Sequence, residues 1–517
     1  MGGERGHWTG KLDFFLSALG FAVGLGNIWK FPYLCYKYGG GAFLLPYTFM
    51  LFLVGIPMFL IELTIGQFSA LTPIKCFSNM SPLFAGIGIA AFLGSCKGIV
   101  AYNVVISWSL YYLGLSFQPD LPWTHCGQDY NTHTSEEYMK HRVLGITSGL
   151  EELGTLQWRL VVYFTATFPY VVLVALLVRG VTLPGAMDGI RFYIVPQWDK
   201  VWNIKVEILF LAISPKLRLS QVWEQALYQI LISLSLGGSG LITLASYNHF
   251  NYNVVRDTWA VCLGNSLTSI FGGFAIFSTL GFMAHQLEVP VDQVARDGTS
   301  LAFIAYPELI AQLPLPNLWA VLFFLMLITL GLDSAFAMAE NISGHLKGGT
   351  FIMNFMDYYA NAPRAIFMEI AILVAVIYVY GVGNFLSVLK KMVGFDPGQK
   401  LKSHLIVLYI TVTPLVLLVI FIWSCSYVSP LTVGGYEYPA FARTLGWFTA
   451  LLNVAAIPLA ALYQIFWGYR HVPWKQVTSS SRPRRSNGTE TRKRPPPPPP
   501  DPRHQKAPKR RPVDAVT

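Results

Sequence analysis

Apolar runs long enough to cross a bilayer alternate with polar stretches over most of the chain. A spanning helix needs about 20 apolar residues, and ten segments approach or meet that length: one within 12–47, then 41–67, 83–117, 163–178, 224–247, 258–284, 318–339, one ending at Tyr380, 405–424 and 445–467. The polar stretch 118–157 is expected to be an extracellular loop, 75–82 a short loop, 183–202 a Pro/Gly-punctuated loop, and 289–313 an interfacial loop. Residues 204–214 are apolar but too short to span. The expected fold class is an all-α membrane protein. Residues 1–11 form a cytoplasmic N-terminus, 12–470 the transmembrane domain and 471–517 a basic, proline-rich, disordered cytoplasmic tail.

Two of these runs are interrupted at their centres. The first reads Gly20-Phe-Ala-Val-Gly24-Leu-Gly26-Asn27, and residues 237–240 read Gly-Gly-Ser-Gly. Glycine at this density does not sustain an unbroken helix, and broken backbone is tolerated in a membrane only where it faces protein or a water-filled cavity. Freed carbonyls there can hold a cation, and a new helix N-terminus can hold an anion. Glycines alone are equally compatible with a packing face. Two broken spans in corresponding halves point to an inverted-repeat transporter. Asp333 lies well inside an apolar span, where an acid is costly and usually functional. Lys97 also falls inside a span, and its bland reading is a lysine that snorkels to the margin.

Composition sharpens this picture. Of 517 residues, 53% are hydrophobic and 12% charged, against about 25% charged in an ordinary soluble domain. The first apolar run is too long for a cleaved signal segment and is expected to stay as a helix. Net charge is +10, of which residues 478–517 carry +8, as suits a cytoplasmic tail beside anionic lipid. Nucleic-acid binding is the other reading of that charge, and the apolar body argues against it. The six cysteines, at 35, 76, 96, 126, 262 and 425, show neither metal spacing nor a disulfide framework. No nucleophile–base constellation is evident, so an enzyme is not expected.

The string LDFFLSALGFAVGLGNIWKFPYLCYKYGGGAFLLPY at 12–47 resembles the neurotransmitter:sodium symporters, the sodium- and chloride-coupled transporters of amino acids, GABA and monoamines. The likeness extends over about residues 5–470. It implies a leucine-transporter-like inverted-repeat helix bundle in which family helices one and six unwind around the substrate and ions. It implies a first sodium site at Ala22, Asn27, Ser233 and Asn265, and a second at Gly20, Val23, Leu330, Asp333 and Ser334. The chloride set would be Tyr47, Gln229, Ser233, Asn265 and Ser269, and the substrate set Gly24, Gly26, Tyr102, Ile232, Ser235 and Gly238. An extracellular gate would pair Lys30 with Asp357, lysine replacing the family's arginine and losing its fork. Gly24 stands where the monoamine branch has aspartate, which implies an amino-acid or GABA-like substrate that brings its own carboxylate. Ile232 and Gly238 replace larger aromatics and enlarge the pocket, which argues mildly against glycine itself. No organic cofactor is expected beyond the coupling ions Na+ and Cl−. The expected surroundings are the plasma membrane and its lipid, with homo- or hetero-oligomerisation open.

The chain also departs from the family. LQWRL runs straight into VVYFTATFPY, and ENISGH into LKGGTFIMNFMDYY, so the family's fourth and ninth helices are skipped, each on the order of 20 residues. The second gap takes the inner-gate acid that would pair Arg5, and the extracellular disulfide lacks its second cysteine. Residues 203–219 look like an insertion. Losing one span would invert the next four helices unless tertiary contacts resist. The competing function is therefore a transport-incompetent splice variant or truncated gene model that is retained in the cell or regulates full-length relatives.

Overall fold

Without water to satisfy them, the N–H and C=O groups of an apolar run must pair within the run, and helix is the local solution. The computed structural model describes residues 8, 11–123, 168–198, 220–291, 294, 303, 306–311, 315–336, 362–394, 398–426, 432–433, 436–437 and 440–468. The first run is two helices, α1 (Lys11–Ala22) and α2 (Gly26–Lys37), bent 47° from each other. Then come α3 (Gly40–Ser69), α4 (Pro73–Met80), α5 (Ala85–Leu115), α6 (Phe168–Val181) and α7 (Ala186–Ile194). The second broken run is α8 (Ser220–Ser233) and α9 (Gly240–Ala245). They are followed by α10 (Val254–Leu287), α11 (Tyr306–Ala311), α12 (Pro316–Phe336), α13 (Ala362–Leu373), α14 (Val382–Val393), α15 (Gln399–Cys425) and α16 (Ala440–Tyr463).

Each of the ten expected spans contains a described helix. Among the described residues, four helices are long and apolar enough to cross a membrane, or six if each bent pair counts as one span. Two loop expectations are corrected. The stretch 75–82 is mostly α4, started by Pro73 in its first turn, where a missing N–H costs nothing. Within 183–202 lies α7, set 110° from α6. Both are short amphipathic helices whose prolines and glycines mark their ends rather than a loop. Among the described residues, one two-residue antiparallel ladder, Thr432–Val433 with Tyr436–Glu437, departs from all-α architecture.

Contacts at the helix ends set the sidedness. At one end, Trp8 Nε1 donates to the carbonyl of Leu244 (3.1 Å), and the Phe14 and Tyr252 rings meet edge to face. Gln67 there holds the carbonyls of Phe250 and Tyr252 at 3.0 and 2.8 Å and accepts from Asn248 Nδ2. The start of α1, the ends of α3 and α9 and the start of α10 therefore share a side. Asn253 caps α10 there by accepting from the Arg256 N–H. At the other end, a Cβ on Gly40 or Gly41 would overlap carbonyl oxygens of α7, and one on Gly189 would overlap that of Phe277. The start of α3, the α7 that follows α6 and the outer part of α10 thus share the opposite side. Asn317 at the start of α12 donates to the carbonyls of Ser116 and Gln118 just past α5. This is the direction of travel that the resemblance implies for every one of these helices. The structure does not show the inverted arrangement of the middle helices.

The core draws on α1, α2, α3, α5, α8, α10, α12 and α13, with Phe14, Phe31, Tyr47, Phe59 and Tyr112 fully buried. Close approach is bought with small residues: a Cβ at Gly66 of α3 would overlap the Ile242 carbonyl of α9. By contrast, α15 leaves Leu415, Leu418, Val419 and Ile422 exposed, as befits an outer helix facing hydrocarbon.

Candidate functional site

The break after α1 is built around Asn27. Its Oδ1 accepts from the Gly24 N–H (3.1 Å), and its own N–H donates to the Gly24 carbonyl (3.1 Å). One asparagine thus closes the turn that the glycines open. A π-helical turn, Gly26–Lys30, resumes the helix. Carbonyls freed by the break find side chains: Phe21 O accepts from Ser235 Oγ (2.9 Å), and Gly26 O from Gln229 Nε2 (3.3 Å).

The second break, residues 234–239, holds Ser235, Gly237 and Ser239 in left-handed backbone, with φ of 54°, 71° and 56°. Glycine adopts this freely and serine does not. The turn is held from outside by Glu62 Oε1, which accepts from the Gly237 N–H at 3.0 Å. Ser95 Oγ of α5 in turn donates to the Gly238 carbonyl at 3.1 Å.

The two breaks face α10 through one polar knot. Asn27 Nδ2 lies 3.1 Å from Ser233 Oγ, 2.7 Å from Asn265 Oδ1, 3.3 Å from the Asn265 carbonyl and 2.8 Å from Ser269 Oγ. Asn265 Nδ2 donates to Ser233 Oγ at 2.7 Å. Asn265 and Ser269, four residues apart, present to one face of α10. Tyr47 of α3 reaches the same face and donates to Ser266 Oγ at 3.2 Å. Gln229 is buried beside it with its Oε1 free of hydrogen-bond donors among the described residues. These residues are all buried. Four oxygens within 3.3 Å of one donor nitrogen make a small cage of neutral oxygen ligands, the donor type that hard cations take.

The structure thus brings Asn27, Ser233, Asn265 and Ser269 together, with Tyr47 on the same face of α10 and Gln229 on the Gly26 carbonyl; Ala22 is buried at the end of α1. They meet side chain to side chain, with the amide of Asn27 in the middle. Gly24 is buried in the first break, while Ile232 and Gly238 are half-buried around the second. Leu330 is buried on α12. Its neighbour Gly331 faces Ile106 and Leu25, so that turn lies against α5 and the first break. The side chains of Tyr102, Asp333 and Ser334, and Asp357 as a whole, lie outside the described residues. Lys30, the other half of the expected gate, holds its ammonium 4.4 Å from the centre of the Tyr228 ring. Ser266, Ser95 and Glu62 were missed as site residues. The first is adjacent to Asn265, and the last, an acid inside an apolar span, carried the same signal as Asp333.

Comparison with known proteins bears on this geometry. The family model described as the sodium:neurotransmitter symporter family matches residues 5–162, 159–347 and 341–467. The chain belongs to that family. It is a multi-pass membrane transporter and not an enzyme. It is 36% identical to the sodium- and chloride-dependent glycine transporter 2 of Xenopus laevis, covering 89% of this chain and 69% of that protein. It is 37% identical to the sodium- and chloride-dependent GABA transporter 2 of both Mus musculus and Homo sapiens, covering 89% of this chain and 87% of each. The symporter match falls into three pieces that join at 159–162 and 341–347, the two places where the sequence skips a helix. The alignment to the mouse protein runs over 543 positions, whereas 89% of 517 residues is about 460, so about 80 of its positions have no counterpart here.

Proposed function

We propose that this chain is a sodium- and chloride-coupled symporter of GABA, glycine or a similarly small neutral amino acid at the plasma membrane. The observation that carries this reading is the Asn27–Ser233–Asn265–Ser269 knot at the meeting of two broken helices. It supports Asn27, Ser233 and Asn265 as ligands of one sodium, and Ala22 is assigned with them from the family resemblance. Rotation of the Asn27 amide would turn Oδ1 inward, and the cation would then take the place of the amide N–H donors. Tyr47, Gln229 and Ser269 complete a donor set without fixed charge on the chloride side, suited to an anion that must leave again. Gly20, Val23, Leu330, Asp333 and Ser334 remain our assignment for the second sodium.

Gly24, Gly26, Tyr102, Ile232, Ser235 and Gly238 form the proposed substrate wall, with the substrate carboxylate directed to the first sodium and the Tyr102 hydroxyl. The names of the relatives, glycine and GABA transporters, fit a glycine at position 24. Lys30 and Asp357 are proposed to close the outer side. The 478–517 tail is assigned to the cytoplasm beside anionic lipid.

A second reading is favoured by one observation: the three-piece family match and the positions missing relative to the relatives. On that reading the chain keeps the core but does not cycle, and is retained or associates with full-length transporters. The deciding experiment is uptake of labelled GABA, glycine and other small amino acids by cells expressing this chain, in sodium chloride against choline chloride. Sodium-dependent uptake comparable to a full-length relative supports symport, and its absence from a chain that reaches the surface supports the second reading.

A further inference from the structure

Near the start of α2, three consecutive side chains are fixed by three different parts of the chain. Trp29 meets the Phe303 ring, centroid to centroid, at 6.0 Å. Phe31 meets Tyr47 of α3 edge to face at 4.9 Å. Between them, Lys30 turns to α8 and places its Nζ 4.4 Å from the centre of the Tyr228 ring. A ring face attracts a cation within about 6 Å, and more strongly where water is kept out. Tyr228 is buried and Lys30 half-buried. Two hydrogen bonds tie the same pair of helices: Gln229 Nε2 donates to the Gly26 carbonyl at 3.3 Å, and Asn27 Nδ2 to Ser233 Oγ at 3.1 Å. Of these three contacts, Lys30 with Tyr228 lies furthest from the break along both helices. A lysine carries its charge on a flexible stem and lacks the rigid fork of arginine, so a neighbour has to orient it.

We propose that Tyr228 is a positioning residue of the outer gate: the face of its ring seats the Lys30 ammonium against α8. The seat fixes where the gate cation stands when its acid approaches. It is the ring face that performs this role, not the phenol hydroxyl, because the ammonium lies over the ring. Trp29 and Phe31 are held elsewhere, so their packing fixes the backbone of this turn and leaves the direction of the Lys30 stem to Tyr228. Tyr228 touches no substrate; it acts through Lys30. The role rests on Lys30 as the gate cation, whereas the seat itself can be measured without transport.

The test acetylates the full chain in membranes with a sulfonated N-hydroxysuccinimide ester and follows the rate at Lys30 by mass spectrometry. Lys37, exposed two turns further along α2, is the control for general reactivity and unfolding. Tyr228→Leu removes the ring and should speed acetylation of Lys30 at least about tenfold, with Lys37 unchanged. Tyr228→Phe keeps the ring face and should stay within about twofold of the parent. Phenylalanines bearing one, two and three ring fluorines at position 228 keep the shape while draining the negative face, and should speed acetylation of Lys30 step by step. A ring that only packed would give the same rate along that series. A flat series, or a Tyr228→Phe chain as reactive as Tyr228→Leu, overturns the proposal. Should Tyr228→Leu not fold, the fluorinated series decides alone. A chain that shows the graded series but no sodium-dependent uptake of GABA or glycine keeps this inference and loses the transport reading; a transporting chain with a flat series does the reverse.

Discussion

Asn27 and Asn265, 238 residues apart, meet amide to amide with Nδ2 of the first 2.7 Å from Oδ1 of the second. Ser233 Oγ receives a hydrogen bond from each of them. The proposed sodium and chloride sets therefore share two residues and should not be separable at those positions. Ser233→Ala should weaken the apparent affinity for both ions by roughly 5- to 150-fold, the equivalent of losing about 1–3 kcal/mol at a buried polar group. Gln229→Ala should weaken chloride alone. Sodium activation curves at fixed chloride, and the reverse, check this; a Ser233→Ala chain altered for one ion only would mean the sets are distinct.

Gly24 is buried in the first break, with its N–H already accepted by Asn27. An aspartate there would bring an unpaired charge to face the substrate carboxylate. Gly24→Asp should abolish binding of labelled GABA and glycine at concentrations that saturate the parent. Retained affinity would place residue 24 outside the pocket.

Asp333 is the charged oxygen ligand assigned to the second sodium, on the α12 turn that follows Gly331. Asp333→Ala should remove the sodium dependence of substrate binding while leaving the chain folded and at the membrane. Equilibrium binding across a sodium titration is the measurement, and an unaltered curve counts against the assignment.

Packing predictions can be checked without any ligand. A Cβ at Gly189 would overlap the Phe277 carbonyl oxygen, whereas nothing lies within 4 Å of a Cβ at Gly383. Gly189→Ala should cost about 1–3 kcal/mol by overpacking. Gly383→Ala, within α14, should cost nothing and gain a little helix propensity. Thermal midpoints of the two variants in detergent should move in opposite directions or, for Gly383→Ala, not fall.

Much of this was legible in the sequence because each signal was local. Apolar length located ten segments that each contain a helix, and Gly24, Gly26 and Asn27 announced the first break as Gly237 and Gly238 did the second. The family resemblance then supplied the partners, and the structure brings Asn27, Ser233, Asn265 and Ser269 to one point. What stayed hidden depends on distance in space. That Glu62 and Glu369 would both reach the unwound turn at Gly237 is a relation among α3, α13 and that turn that no spacing within one helix records. The π-turns at Gly26–Lys30 and Val374–Gly381 were also hidden, since they reflect helices adjusting to neighbours rather than propensity. The helices α4 and α7 were read as loops because their prolines and glycines outweighed a short amphipathic pattern.

Ser235 and Ser239 hold left-handed backbone at a position where glycine would be easier, and Ser235 uses its hydroxyl to occupy the Phe21 carbonyl as Ser95 occupies that of Gly238. Those two hydroxyls are placeholders. A cation or ammonium group that claimed either carbonyl would displace a serine hydroxyl, and a displaced Ser235 would lose the bond that offsets its strained backbone. A ligand that claimed both carbonyls would then act on the main chain of both broken helices together.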